Sequence, residues 1–189
     1  MRFIAITSPK VINEDVYLIK SLLERGIDII HLRKPDSSAN ECRNLLKVLT
    51  NEERAKIIIH NYPELYEEFS LKGIHINKNI TTLPSGYNGF KTRSCHSFEE
   101  IIRYKSEFDY LFLSPIFDSI SKEGYKSKFS EKDLKWAMKE EIINEKIIAL
   151  GGITLAKTPY LKSLNFGGIA LSGAIYNKNA IKQLKYLSE

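Results

Sequence analysis

The residues of this 189-residue sequence best suited to chemistry are four histidines and two glycine-bearing pairs. His31, His60, His75 and His96 each lie in or just beyond a short apolar, β-branched run. Imidazole has an unperturbed pKa near 6.5, so both protonation states are accessible at neutral pH and it suits acid–base work. His96, in Ser94-Cys95-His96 ahead of a helix-capping signal, is the candidate proton carrier. His31 and His75 have apolar neighbours on both sides and read by default as core or wall residues. No two of the four share metal-ligand spacing on one element, and no acidic partner accompanies them, so no metal site is expected. Gly151-Gly152 and Ser172-Gly173 could each form either a tight turn or an anion cradle, since glycine permits positive φ and close backbone approach. Arg33, Lys34 and Lys122 fall near the same ends and could complement a phosphate dianion.

These groups need a scaffold that gathers strand ends. Eight candidate strands are legible: Phe3–Thr7, Ile29–Leu32, Lys56–His60, Gly73–Ile76, Gly89–Arg93, Asp109–Ser114, Ile147–Leu150 and Gly168–Ser172. Several are almost continuously apolar (IIIH, YLFL, IIAL), as strands covered on both faces of a parallel sheet must be. Between them run helical patterns. Asn13 is placed to cap a helix through Leu23; Ser38/Glu41 and Ser97/Glu100 have capping-box spacing; Gly26 stands at a C-terminal cap. Further helices are expected over Ser130–Ile143 and Leu155–Leu164.

Eight strands with intervening helices predict an α/β fold, a (β/α)8 TIM barrel over residues 1–189 as a single domain; an open sheet of six or seven strands is the alternative. The chain is short for a barrel, about 250 residues being usual. The saving falls after the fourth strand, where TTLPSGYN reads as a loop. In such barrels the reactive groups collect at the C-terminal strand ends, and the loops after strands seven and eight commonly hold phosphate. That placement favours the anion cradle for Gly151-Gly152 and Ser172-Gly173.

Composition excludes other classes. The sequence is 43% hydrophobic and 27% charged, too apolar for disorder. No apolar run approaches the roughly 18 residues of a membrane span, and MRFIAITSPK is too short in its apolar part for a secretory signal. Two cysteines, Cys42 and Cys95, fit reduced thiols in a cytoplasm. The net charge of +5 is spread among interleaved acids with no basic stripe, so nucleic acid is not an expected partner.

At IIHLRK, SCHSFEE, FDYLFLSPIFDSISK, IIALGGIT and GGIALSGAIY the chain resembles the thiamin phosphate synthase/TenI family of barrels, which act on thiazole phosphates in thiamin biosynthesis. The resemblance implies phosphate binding around Gly151-Gly152 and Ser172-Gly173. It also implies a loop, Ser119 to Lys122, that closes over the ligand. Synthases of the family join a pyrimidine diphosphate to a thiazole phosphate, with Mg²⁺ on the leaving diphosphate. They typically carry Gln-x-Arg-x-Lys, Asn-Asp and a later acid where this chain has His31, Arg33 and Pro35, then His60-Asn61, then no carboxylate after His75. A hard cation held by neutral Asn61 and Asn79 beside lysines is held poorly. The resemblance therefore points first to the TenI branch: a metal-free thiazole tautomerase with His96 as the acid–base group and His31 and Ser94 tuning or orienting it. Arg33, Asn61, Ser119, Ser121 and Lys122 would bind the phosphorylated substrate. The alternatives are a synthase taking Mg²⁺ with its diphosphate, and a non-catalytic thiazole phosphate binder. Trp136 and the Tyr62–Phe69 stretch could serve a homodimer contact, though helix packing explains them as well.

Overall fold

The computed structural model describes residues 1–80, 82–118 and 127–176. Eight strands, β1 (Arg2–Ile6), β2 (Ile29–Leu32), β3 (Ile57–Ile59), β4 (Gly73–Ile76), β5 (Phe90–Cys95), β6 (Tyr110–Leu113), β7 (Ile147–Ala149) and β8 (Gly168–Leu171), pair in chain order. All neighbours are parallel, and β8 closes on β1 to complete a barrel. The barrel reading holds, and the open sheet is excluded. No helix is described between β4 and β5, so the shortening falls where the loop composition placed it.

Period-two alternation sorts the strand residues into two layers. Ile4, Ile6, Ile29, Ile58, Tyr110, Phe112, Ile148 and Ala170 pack together inside the barrel. Ala5, Ile30, Leu32, Ile59, Ile74, Leu111, Leu113, Ala149 and Leu171 belong to the outer cluster shared with the helices. Apart from β5, which is polar in part and only partly buried, the strands are largely buried on both faces, the physical origin of their apolar runs.

Among the described residues, seven α-helices lie between the strands: α1 (Asp15–Glu24), α2 (Ala39–Lys47), α3 (Asn51–Arg54), α4 (Leu65–Phe69), α5 (Phe98–Tyr104), α6 (Glu131–Lys139) and α7 (Thr158–Ser163). Ser38 and Glu41 form the reciprocal capping box at α2. At α5 only half the box forms: Ser97 accepts the Glu100 N–H, while the Glu100 carboxylate reaches one residue further back, to the His96 N–H at 2.6 Å. Asn13 does not cap α1; that helix begins after Glu14 without a side-chain cap, and Asp15 instead accepts the Ile12 N–H at 2.8 Å. The helix expected through Ile143 stops at Lys139, with Glu141 at positive φ. That expected over Leu155–Leu164 is divided by Pro159, whose ring fits a first helical turn: a 3₁₀ turn at Leu155–Lys157 precedes α7. No helix among the described residues is long and apolar enough to cross a membrane.

Candidate active site at the barrel mouth

A cavity of about 420 Å³ opens at the C-terminal ends of the strands, within the usual range for small-molecule sites. Arg33, His60, Asn61, His75, Lys78 and His96 are among its lining residues, with Phe112 and Leu150 supplying apolar floor. Each position follows from the alternation. His31 is two residues beyond inward-facing Ile29, and His60 two beyond Ile58. On β5, Thr92 and Ser94 share the face that meets His75. The barrel interior is thus apolar below and polar at the top.

His96 sits at the rim, exposed, and two backbone contacts hold it. Its N–H donates to Glu100, and its ring Nδ1 lies 3.0 Å from the Ser114 carbonyl oxygen. A carbonyl can only accept, so the neutral ring carries its proton on Nδ1 and keeps Nε2 as its acceptor. This arrangement suits a group that takes and returns a proton.

The other two catalytic candidates have different partners from those expected. His31 is fully buried, with Nδ1 2.7 Å from His60 Nε2 and Nε2 2.6 Å from the Tyr110 hydroxyl. It is therefore a core residue joined to His60 and not an orienting partner of His96. Ser94 lines the cavity, but its Oγ lies 3.3 Å from His75 Nε2. Ser94 thus bears on His75.

Lys34 is a clear correction. In place of lining the mouth, it is fully buried; its ammonium donates to Asp15 Oδ2 at 2.6 Å and to the Lys10 carbonyl at 2.9 Å. A buried carboxylate on α1 draws it away from the cavity, since an ammonium without solvent requires a countercharge. Arg33, one residue earlier, is exposed and does line the cavity. Asn61 also lines it and accepts the Lys34 N–H through Oδ1 at 3.3 Å.

Gly151 and Gly152 have φ of +94° and +60°. A Cβ on Gly151 would lie 2.7 Å from Pro115 Cα, and one on Gly152 would meet the Asp118 carbonyl oxygen. Glycine is thus required by the turn itself, whatever else its N–H groups do. Ser172 and Gly173 are exposed at the end of β8, where a 3₁₀ turn starts at Gly173. Ser119, Ser121 and Lys122, and with them the proposed closing loop, lie outside the described residues.

Sequence reasoning missed two features. Lys78, after β4, adds a cation to the cavity wall. More consequential, His31, His60 and His75 meet: His60 and His75 stack at 4.0 Å between centroids and 13° between planes, and one ring nitrogen of each histidine lies within 4.8 Å of the others. The expectation against a metal cluster rested on spacing along one element, whereas this group is assembled across β2, β3 and β4. Burial holds all three imidazoles below the usual histidine range, and takes His75 to about 3, so they are neutral at physiological pH.

The magnesium that the family resemblance implies meets a poor donor set. None of the described residues lining the cavity is a carboxylate; the side-chain oxygen donors are the amides of Asn61, Asn77 and Asn79 and the Ser94 hydroxyl, among Arg33, Lys78 and Arg93. Asn77 is further committed, donating to the His60 carbonyl at 2.8 Å. A hard dication bound by neutral amides beside three cations is not held by the protein.

Comparison with known proteins places these features. Residues 3–175 match the family model described as thiamine monophosphate synthase, TMP-TENI. A curated relative from Bacteroides thetaiotaomicron named thiamine-phosphate synthase is 28% identical over 171 residues, 81% of this chain and 79% of its own. One of the same name from Clostridium tetani is 27% identical over 180 residues, covering 87% of this chain and 84% of its own. Among solved structures, thiamine phosphate pyrophosphorylase from B. thetaiotaomicron is similar at 34% identity and a TM-score of 0.89, covering 100% of this chain and 96% of its own.

Proposed function

The chain belongs to the thiamine monophosphate synthase (TMP-TENI) family, and from that premise we propose that it joins a pyrimidine diphosphate to a thiazole phosphate, releasing diphosphate. The tautomerase expectation gives way because the relatives above carry the synthase name. The observation that carries the proposal is the placement around one mouth of two separate groups suited to binding anions. Arg33 and Lys78 follow β2 and β4, while Gly151-Gly152 and Ser172-Gly173 follow β7 and β8. A coupling enzyme needs both, one for each anionic substrate.

In that reaction a bond forms between the thiazole and the carbon bearing the diphosphate. The carbon–oxygen bond breaks, and its electron pair departs on the diphosphate. Arg33 and Lys78 would offset charge growing on that leaving oxygen, the kind of preorganised stabilisation that lowers a barrier most. The glycine turns after β7 and β8 would hold the thiazole phosphate, and apolar Phe112 and Leu150 would back the rings. Positioning two substrates in one cavity removes much of the entropic cost of their encounter.

A second reading, thiazole tautomerisation, is favoured by one observation: the seated His96 ring with its Nε2 acceptor in a cavity lined by no described carboxylate. One experiment separates the two. Purified protein with pyrimidine diphosphate and thiazole phosphate should yield thiamin phosphate and one equivalent of diphosphate. Tautomer conversion without any coupled product would overturn the synthase reading.

A further inference from the structure

We propose that His31, His60 and His75 form a binding site for one transition-metal ion of the Zn²⁺ or Co²⁺ class inside the barrel, with its open coordination position facing the cavity. Three imidazole ligands and an open fourth position make a common arrangement for such ions. Imidazole donors without carboxylate select these borderline metals over magnesium or calcium.

Four observations support the site. One nitrogen from each ring lies within 4.8 Å of the others. The outer nitrogens are held by hydroxyls, His31 Nε2 by Tyr110 at 2.6 Å and His75 Nδ1 by Thr92 at 2.9 Å, as metal-ligating imidazoles are usually oriented from behind. The His31 Nδ1–His60 Nε2 contact already brings two of these nitrogens to 2.7 Å; the proton shared there would pass to the outer nitrogen of its ring as the metal binds. Finally, His60 and His75 line the cavity, which gives an ion an entry path.

Binding requires modest movement. Zn–N bonds of about 2.0–2.1 Å in tetrahedral geometry set the ligand nitrogens about 3.4 Å apart. The His60 and His75 rings would splay from their stack by rotation about χ2, a broad torsion in histidine. The 2.7 Å contact between His31 Nδ1 and His60 Nε2 would give way to two metal bonds.

The test is binding, independent of turnover. One equivalent of Co²⁺ added to chelator-treated protein should give visible d–d absorption that Zn²⁺ displaces. His60→Gln and His75→Gln should abolish it, and His96→Gln should retain it. Thr92→Val should weaken affinity by about 10–100-fold. Imidazole-nitrogen NMR of the unsubstituted protein decides the matter even if the variants fold poorly: Zn²⁺ should shift three of the four histidines and leave His96 in place. Absorption that survives in both glutamine variants, Zn²⁺ shifts confined to His96, or no shift at all would overturn the site.

Discussion

Lys34 and Asp15 form an ion pair 2.6 Å apart with side chains 1% and 0% exposed, joining the loop after β2 to the first turn of α1. Such a pair gives little net stability relative to an apolar substitute, but losing one member strands the other without solvent. Lys34→Met should therefore destabilise the protein by about 3–5 kcal/mol in urea unfolding. Adding Asp15→Asn, which keeps an acceptor for the Ile12 N–H, should recover much of that loss. A single variant as stable as the parent would show that the pair contributes nothing.

The Gly151-Gly152 turn makes a separate prediction. Alanine at either position adopts left-handed backbone and collides with Pro115 or Asp118, for a cost of roughly 1–3 kcal/mol. Were the turn also a phosphate cradle, the variants would raise KM for thiazole phosphate more than for the pyrimidine substrate. An equal rise for both substrates would assign the glycines to the turn alone.

The contrast between Lys34 and Arg33 shows where sequence reading stops. The strands were legible because burial on both faces leaves an apolar run whatever the partners. Capping signals at Ser38 and Ser97 were legible because cap and donor lie three residues apart. Lys34 was misread because its countercharge lies nineteen positions earlier, and nothing local distinguishes it from Arg33. The histidine group was missed for the same reason. Parallel register pairs Ile59 with Ile74, which sets His60 beside His75, and Leu32 with Ile59, which brings His31 within reach. Spacings of 29 and 15 residues mean little until the barrel closes.

That histidine group also fixes a pH dependence. The folded protein holds these imidazoles below their ordinary value of 6.5, at about 3 for His75, chiefly through burial. The unfolded chain then binds more protons in acid, so stability present above pH 6.5 is lost as pH falls toward the folded values. The slope is about 1.4 kcal/mol per pH unit for each such ring. Urea midpoints should fall between pH 6.5 and 5, and His75→Gln should flatten that fall. An unchanged slope in the variant would mean that His75 titrates normally in the folded protein.

Arg33 tests the proposed anion-binding wall directly. It is exposed at the cavity, so replacing it leaves the core intact and any effect falls on the ligand. A charge-assisted hydrogen bond to a phosphate oxygen is worth about 1.5–3 kcal/mol, so Arg33→Ala should weaken pyrimidine diphosphate binding by about 10–150-fold. Lysine, a point charge without the guanidinium's two-pronged geometry, should restore only part of it. Thiazole phosphate affinity should change far less, because the β7 and β8 turns lie on a different arc of the mouth. If instead Arg33→Ala weakened thiazole phosphate and spared the diphosphate, the two anion sites would have to be exchanged.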